Sequence, residues 1–279
     1  MILNQFYVDD IIKTAIKEDI NYIDVSSAYT IPETQRNSAY FVAKADGILC
    51  GIDVALRVFE LLDDSFTSTV YKKDGDAVVC GDIIAEFSGK TVFMLQGERT
   101  ALNLLQHMSG VATATSKVVK LLEGSGISVA ETRKTLPGLR ALQKYAVSCG
   151  GGRNHRFNLS DAAMLKDNHI DACKGITNAV TRLRERVGHT VKIEVETRNL
   201  DEVKEAVAVK ADIIMLDNMT VEQMTQAVKL IDKRALTEAS GNITEETAAG
   251  IIAAGVDIIS MGSITHSVKA LDISMKISK

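Results

Sequence analysis

The feature that most constrains this chain is a repeated unit in its C-terminal third. Short β-like runs begin at Val191, Asp212, Ala235 and Val256, which are 21, 23 and 21 residues apart. The amphipathic stretches Leu200–Val209, Val221–Ile231 and Thr244–Ala254 lie between them. A unit of that length holds one strand, one helix and two tight turns, so successive strands must run parallel through right-handed helical crossovers. The runs Ile127–Glu131, Val191–Glu196, Asp212–Leu216, Ala235–Ala239 and Val256–Met261 are the expected strands. About 170 residues remain after Gly110, whereas a complete eight-unit barrel takes about 250. The spacing therefore predicts an incomplete (β/α) barrel of six or seven strands.

The first hundred residues read differently. Ile11, Ile12, Ala15 and Ile16 mark a helix near the start, and Val54, Val58, Leu61 and Leu62 mark another. The runs Tyr40–Ala43, Ala77–Cys80 and Ile83–Phe87 each lead to glycine, at Gly47, Gly81 and Gly89. That mixture predicts an α+β layer. A long helix is expected from about Gly97 to Glu123, with Ala101, Leu104, Leu105, Met108 and Val111 inside and a kink at Gly110. Two prolines and no Ser-rich tract leave no flexible linker.

An apolar fraction of 46% with 24% charged residues supplies an ordinary globular core, and the net charge of −4 argues against a nucleic-acid or anionic-membrane binder. The N-terminal stretch carries acids where a signal peptide needs a basic region, and no apolar run reaches membrane-spanning length, so a cytoplasmic protein is expected. Cys50, Cys80, Cys149 and Cys173 include no CxxC pair, which is neither a zinc-ligand pattern nor a dense disulfide framework and predicts reduced thiols.

Chemistry in a parallel barrel sits just past the C-terminal strand ends. Here those positions are polar: Glu131-Thr132-Arg133-Lys134-Thr135, then Glu194 and Glu196, Asp217-Asn218, Glu238 with Ser240-Gly241-Asn242, and Gly262-Ser263. Five in succession point to a shared ligand site. From Arg133 to His169 there are seven Lys/Arg and two acids, a window of +5 that leaves −9 for the rest. Such an island suits a phosphate ester or polycarboxylate, which arginine grips in bidentate fashion. Arg140 and Lys144, four apart, are expected on a solvated helix face. The three glycines of Gly150-Gly151-Gly152-Arg153-Asn154-His155-Arg156 imply a sharp turn or close approach to a ligand. Ser240-Gly241-Asn242 and Gly262-Ser263 precede helix starts and offer backbone N–H groups to a phosphate monoester. The neighbouring carboxylates Glu196 and Asp217 suit Mg²⁺, with general-base work the competing role. The five histidines show no HxxxH or HxH spacing.

Seven motifs in order carry a more specific signal: Gly97–Asn103, His107–Thr113, Glu131–Thr135, Gly150–Arg156, Lys166-Asp167-Asn168-His169-Ile170, Met215–Asn218 and Thr265-His266-Ser267. Together they resemble the quinolinate phosphoribosyltransferase family across nearly the whole chain. The resemblance implies an N-terminal α/β sandwich domain (1–108), an open α/β barrel of about seven strands (109–266), and a tail (267–279) packing back on the first domain. It implies transfer from 5-phosphoribosyl 1-pyrophosphate to quinolinate with decarboxylation, in a homodimer or assembly of dimers with shared active sites, and with no nucleic-acid or membrane partner.

By the same resemblance, Thr132, Arg133, Lys134, His155, Arg156 and Lys166 line the quinolinate pocket, with Arg99 reaching it from the neighbouring subunit. Glu196 and Asp217 face the ribose hydroxyls and Mg²⁺, directly or through water or substrate. Ser240, Gly241, Asn242, Gly262 and Ser263 hold the 5-phosphate. Lys134, Lys166, Glu196 and Asp217 are the expected catalytic set, and no organic cofactor is required. Asn158 stands where the family pattern has glycine; asparagine also tolerates a left-handed backbone. A molybdenum-associated paralogue group shares the fold and part of these motifs.

Overall fold

The computed structural model describes residues 2–278. The chain divides into two compact units, Met1–Ser116 with Thr135–Gly151 and Thr265–Lys279, and Lys117–Lys134 with Gly152–Ile264.

The first unit is built on a four-stranded antiparallel sheet in the order Ile273–Ile277, Arg36–Ala43, Ile83–Lys90, Thr67–Val70. Alternation in Arg36–Ala43 buries Ala39, Phe41 and Ala43 on one face. There Phe41 meets Phe87 at 4.9 Å between ring centroids, and Phe59 of the helix Ile52–Leu62 meets Phe87 at 5.1 Å. These aromatic contacts seat the helix on the sheet. The C-terminal strand Ile273–Ile277 lies in the tail that the resemblance has packing back on the first domain, although no strand was expected there. Ile273-Ser274-Met275-Lys276-Ile277 alternates apolar and polar residues, so its period-2 signal stood in the sequence.

The long helix runs over Thr91–Leu121, six residues earlier at its start than expected and without interruption at Gly110. A Cβ on Gly110 would collide with the Lys269 carbonyl oxygen. Close approach of the chain there, rather than a bend, accounts for the glycine. The helix Arg140–Cys149 overturns one expectation. Lys144 is fully buried beside Ala141, Leu142, Gln143, Ala146 and Val147, so it does not lie on a solvated face. Two basic residues four apart share a helix face, but that spacing does not say which face is covered. Buried Gln143 supports the same helix: its amide donates to the Thr265 carbonyl at 2.7 Å and lies 2.9 Å from His107 Nε2, and its Oε1 accepts from the Leu136 N–H. Thus His107 and Thr265, singled out by the motifs, serve packing.

The second unit holds six parallel strands in the order Ser128–Ala130, Ile258–Ser260, Leu236–Ser240, Ile213–Asp217, Ile193–Thr197, Ala163–Leu165. An isolated parallel bridge between Ala130 and Arg153 adds a seventh segment at one edge. The two edge strands are not paired with each other, which makes this the open α/β barrel expected. Helices Leu200–Ala208, Val221–Ile231 and Glu245–Ile251 follow successive strands. Strand Ile193–Thr197 is buried along its whole length, with Val195 and Glu194/Glu196 on opposite faces. Register places Glu196 beside Met215, Met215 beside Glu238, and Asp217 beside Ser240. One face of the sheet is thereby acidic and polar. The other presents Val195, Ile214, Leu216, Ala239 and Ile259, all fully buried.

Candidate active site

Because all six strands point the same way, their C-terminal ends share one edge. Across it lie Arg133 and Lys134, then Gly262-Ser263, Ser240–Asn242, Asp217, Glu196 and finally Lys166. Small-residue loops occupy the middle, carboxylates come next, and cations stand at both borders. The strand Ala163–Leu165, which delivers Lys166, was absent from the sequence expectations because three residues show no period.

The Gly-rich segment is held by a buried acid. Arg153 N–H donates to the Val129 carbonyl at 2.7 Å. Fully buried Glu131 accepts from the His155 N–H through Oε1 and from the Asn154 side chain through Oε2, each at 3.1 Å. His155 Nε2 then lies 3.3 Å from Glu194 Oε2 and 3.4 Å from Glu238 Oε1. Burial disfavours the imidazolium, but the hydrogen bonds and charges of Glu194 and Glu238 outweigh it and push the His155 pKa up to about 10. Burial also raises the Glu194 carboxyl above its ordinary value, against the pull of His155. The Arg156 N–H lies 2.7 Å from His155 Nδ1, a contact that favours the neutral ring. Protonation would set Nδ1–H against the Arg156 N–H, so this contact opposes the upward push of the two acids.

Arg156 is half-buried, with one guanidinium nitrogen donating to the Ala162 carbonyl at 3.0 Å. Burial first, then the charge of Arg133, holds its pKa below the usual arginine range. Arg133 Nε is itself buried without a hydrogen-bond partner. Two neighbouring guanidiniums with an unspent donor make a receptor for an anion, whose charge would relieve their repulsion. Thr132 Oγ1 accepts from the Lys134 N–H at 3.0 Å and shapes the turn that carries both basic residues.

At the opposite border Lys166 Nζ meets Glu196 Oε2 at 2.6 Å. Asp217 Oδ2 accepts from the Asn218 side chain at 2.8 Å. Asn218 in turn accepts from Asn242 Nδ2 at 3.1 Å, and its N–H donates to the Ser240 carbonyl. Gly241 has φ +95°, and a Cβ there would strike the Asn218 side chain. Only glycine fits this turn. Asn158, by contrast, is not among the residues with positive φ; its Oδ1 accepts from the Ser160 N–H at 2.8 Å, so the turn has no need of glycine.

Arg99 belongs to the other unit. It is exposed on the long helix and lines a cleft of 620 Å³ with Tyr7, Asp10, Asn103 and Gly138.

The quinolinate phosphoribosyl transferase C-terminal domain model matches residues 111–276 and the N-terminal domain model matches residues 24–109. The chain belongs to the quinolinate phosphoribosyltransferase family. A Bacillus subtilis (strain 168) relative, named a probable carboxylating nicotinate-nucleotide pyrophosphorylase, is 44% identical over 276 residues, covering 99% of this chain and 95% of its own. The crystal structure of NadC from Streptococcus pyogenes is 44% identical with a TM-score of 0.96, over 99% of this chain and 98% of that one. The nicotinate-nucleotide pyrophosphorylase from Francisella tularensis is 39% identical with a TM-score of 0.95, over the same shares.

Glu131, Glu194 and Glu238 stand among the polar strand ends of the sequence with no role assigned there, and the structure turns all three on His155. Glu194 and Glu238 were visible as strand-end acids. Their convergence on His155 depends on register across three strands.

Proposed function

We propose that the protein transfers the phosphoribosyl group of 5-phosphoribosyl 1-pyrophosphate to the nitrogen of quinolinate, with loss of pyrophosphate and CO2, to give nicotinate mononucleotide. The observation that carries this reading is the pairing of Arg133 and Arg156 beside a His155 ring held by buried acids. A planar dicarboxylate needs such a cluster of fixed cations. Arg133 and Arg156 bind the two carboxylates, and His155, Lys134 and Lys166 line the pocket. These groups act by orientation, holding the ring nitrogen against C1 of the ribose. Ser240, Gly241, Asn242, Gly262 and Ser263 receive the 5-phosphate. Cationic groups around the departing pyrophosphate stabilise charge that develops as the C1–O bond breaks. Once the ring is a pyridinium it accepts the electron pair released as the 2-carboxylate leaves as CO2.

Glu196 and Asp217 fit Mg²⁺. Lys166 and Asn218 engage one oxygen of each carboxylate, leaving the other for a hard cation that keeps waters and substrate oxygens as further ligands. When bound, the ion would neutralise pyrophosphate charge. A homodimer with Arg99 entering the partner's site is part of the same reading. It is supported by the exposed Phe6, Tyr22, Val25 and Tyr29, which an isolated copy leaves in water. So is a division into two modules near residue 109, where the family models meet. Among the described residues, no helix is long and apolar enough to cross a membrane; a cytoplasmic location is proposed with the rest.

The deciding experiment incubates the protein with quinolinate and 5-phosphoribosyl 1-pyrophosphate, with and without Mg²⁺, and follows nicotinate mononucleotide, pyrophosphate and CO2. Product formation without CO2 release, or turnover of another anionic ring only, overturns the substrate assignment.

A further inference from the structure

The unit that contains the antiparallel sheet gathers four donor side chains that phosphoribosyl transfer does not use. The Sγ atoms of Cys50 and Cys149 and a carboxylate oxygen of Asp74 all lie within 4.8 Å of one another. Cys50 Sγ stands 4.0 Å from Asp74 Oδ2. The Tyr145 hydroxyl lies near enough to Asp74 and Cys149 for both, after burial, to raise its pKa. Tyr145 and Cys149 sit four apart on the helix Arg140–Cys149, so they share a face.

The scaffold fixes these groups firmly. Asp74 Oδ1 accepts from the Gly51 and Ile52 N–H groups at 2.8 and 3.0 Å, at the start of the helix Ile52–Leu62. That anchoring leaves Oδ2 turned toward the thiols. Cys50 is tied on both sides of its own peptide: its N–H donates to Ser109 Oγ at 2.9 Å, and Ser109 Oγ donates to its carbonyl at 3.1 Å. Gly51 follows with φ +97°, and a Cβ there would press on Met108. Cys50 is completely buried, while Asp74 and Cys149 keep partial access to solvent, which gives an ion an entry path.

Two thiols, a carboxylate and a phenol make a mixed S/O set that suits a tetrahedral, borderline-soft cation and not Mg²⁺. Tetrahedral zinc at a Zn–S distance of about 2.3 Å needs ligand atoms about 3.8 Å apart. Side-chain rotations closing the present spacing by about 1 Å or less would supply it. We propose that Cys50, Asp74 and Cys149 form a binding site for a thiophilic divalent cation of the Zn²⁺ class, with Tyr145 or water in the fourth position. Binding forms two metal–thiolate bonds and releases both thiol protons to solvent.

The test uses the full chain, stripped with a chelator under reductant, and Zn²⁺ or Co²⁺ alone as probe. One equivalent of Zn²⁺ should compete with a chromogenic chelator. Co²⁺ should give a thiolate charge-transfer band. Cys149→Ser should abolish the band and weaken Zn²⁺ at least a hundredfold while circular dichroism stays that of the parent. Cys80→Ser and Cys173→Ser should bind as the parent does. A cobalt spectrum without the thiolate band overturns the proposal, as does unchanged Zn²⁺ affinity in Cys149→Ser. If alkylation and mass spectrometry show a Cys50–Cys149 disulfide that persists in stripped, reduced protein supplied with Zn²⁺, the pair is redox-linked and the metal site is refuted.

Discussion

Substituting Glu194 by glutamine keeps the shape of the side chain and removes one of the two charges that hold His155 protonated. The rise of the His155 pKa from 6.5 to about 10 corresponds to roughly 5 kcal/mol of preference for the imidazolium. Glu194 and Glu238 approach Nε2 at almost equal distances, 3.3 and 3.4 Å. Each therefore accounts for about half of an upward push that must also overcome burial, and loss of one should bring the pKa to about 8 or below. Loss of both leaves burial alone, which carries it under the free-histidine value. With the imidazolium charge favouring the anionic substrate, as proposed, affinity should be whole below the His155 pKa and fall as pH rises through it. Quinolinate affinity of the parent should stay flat from pH 6 to 9. In Glu194→Gln it should drop by up to about tenfold between pH 8 and 9, and in the double variant with Glu238→Gln the decline should begin below pH 7. Calorimetric titrations across this range, beside an NMR titration of the His155 ring, measure both quantities. A parent ring that titrates near 6.5, or affinity profiles that overlay in all three proteins, would refute the reasoning.

Arg133→Ala or Arg156→Ala should weaken quinolinate by about 10- to 150-fold, the loss of roughly 1.5–3 kcal/mol for a charged hydrogen-bond partner, and leave 5-phosphoribosyl 1-pyrophosphate binding nearly unchanged; separate calorimetric titrations of the two substrates check this. Glu196→Gln and Asp217→Asn should lower turnover and move the Mg²⁺ optimum while leaving thermal unfolding close to the parent's; overlaid Mg²⁺ titrations would remove both carboxylates from the metal assignment. Mixing inactive Arg99→Ala with inactive Lys134→Ala protein should restore activity at about a quarter of all sites under random subunit exchange, since one site of each mixed dimer is then intact. A tagged pull-down verifies the exchange, and exchange without recovery returns Arg99 to its own subunit.

What could be read before folding followed from how far each feature depends on distant residues. The 21- to 23-residue recurrence from Val191 fixed parallel strands, and Val221–Ile231 emerged as a helix with those very ends. A helix that long against one sheet face must repeat its apolar positions, so its pattern is self-contained. Strand Ala163–Leu165 has three residues and no such record. Lys144 was misplaced because the helix carrying it is covered on more than one side, which depends on partners elsewhere in the chain. The thiols of Cys50 and Cys149 stand 99 positions apart, and motif spacing reports only ligands that are near in sequence.

The candidate site shows the same dependence in its energetics. Glu131, Glu194 and Glu238 are almost wholly withdrawn from water, at 0, 4 and 2% exposure. A buried carboxylate costs several kcal/mol unless it is paired, and a barrel interior lined only for stability would carry aliphatic residues instead. Here Glu131 pins the Asn154 side chain and the His155 backbone N–H, while Glu194 and Glu238 face the ring. The acids thus hold a cation in place before any substrate arrives. Anionic substrates then meet donors that need not reorganise, and preorganisation of this kind makes fixed charges more effective than mobile ones on a solvated surface. The buried glutamates supply the countercharge that lets His155 remain an imidazolium inside the fold.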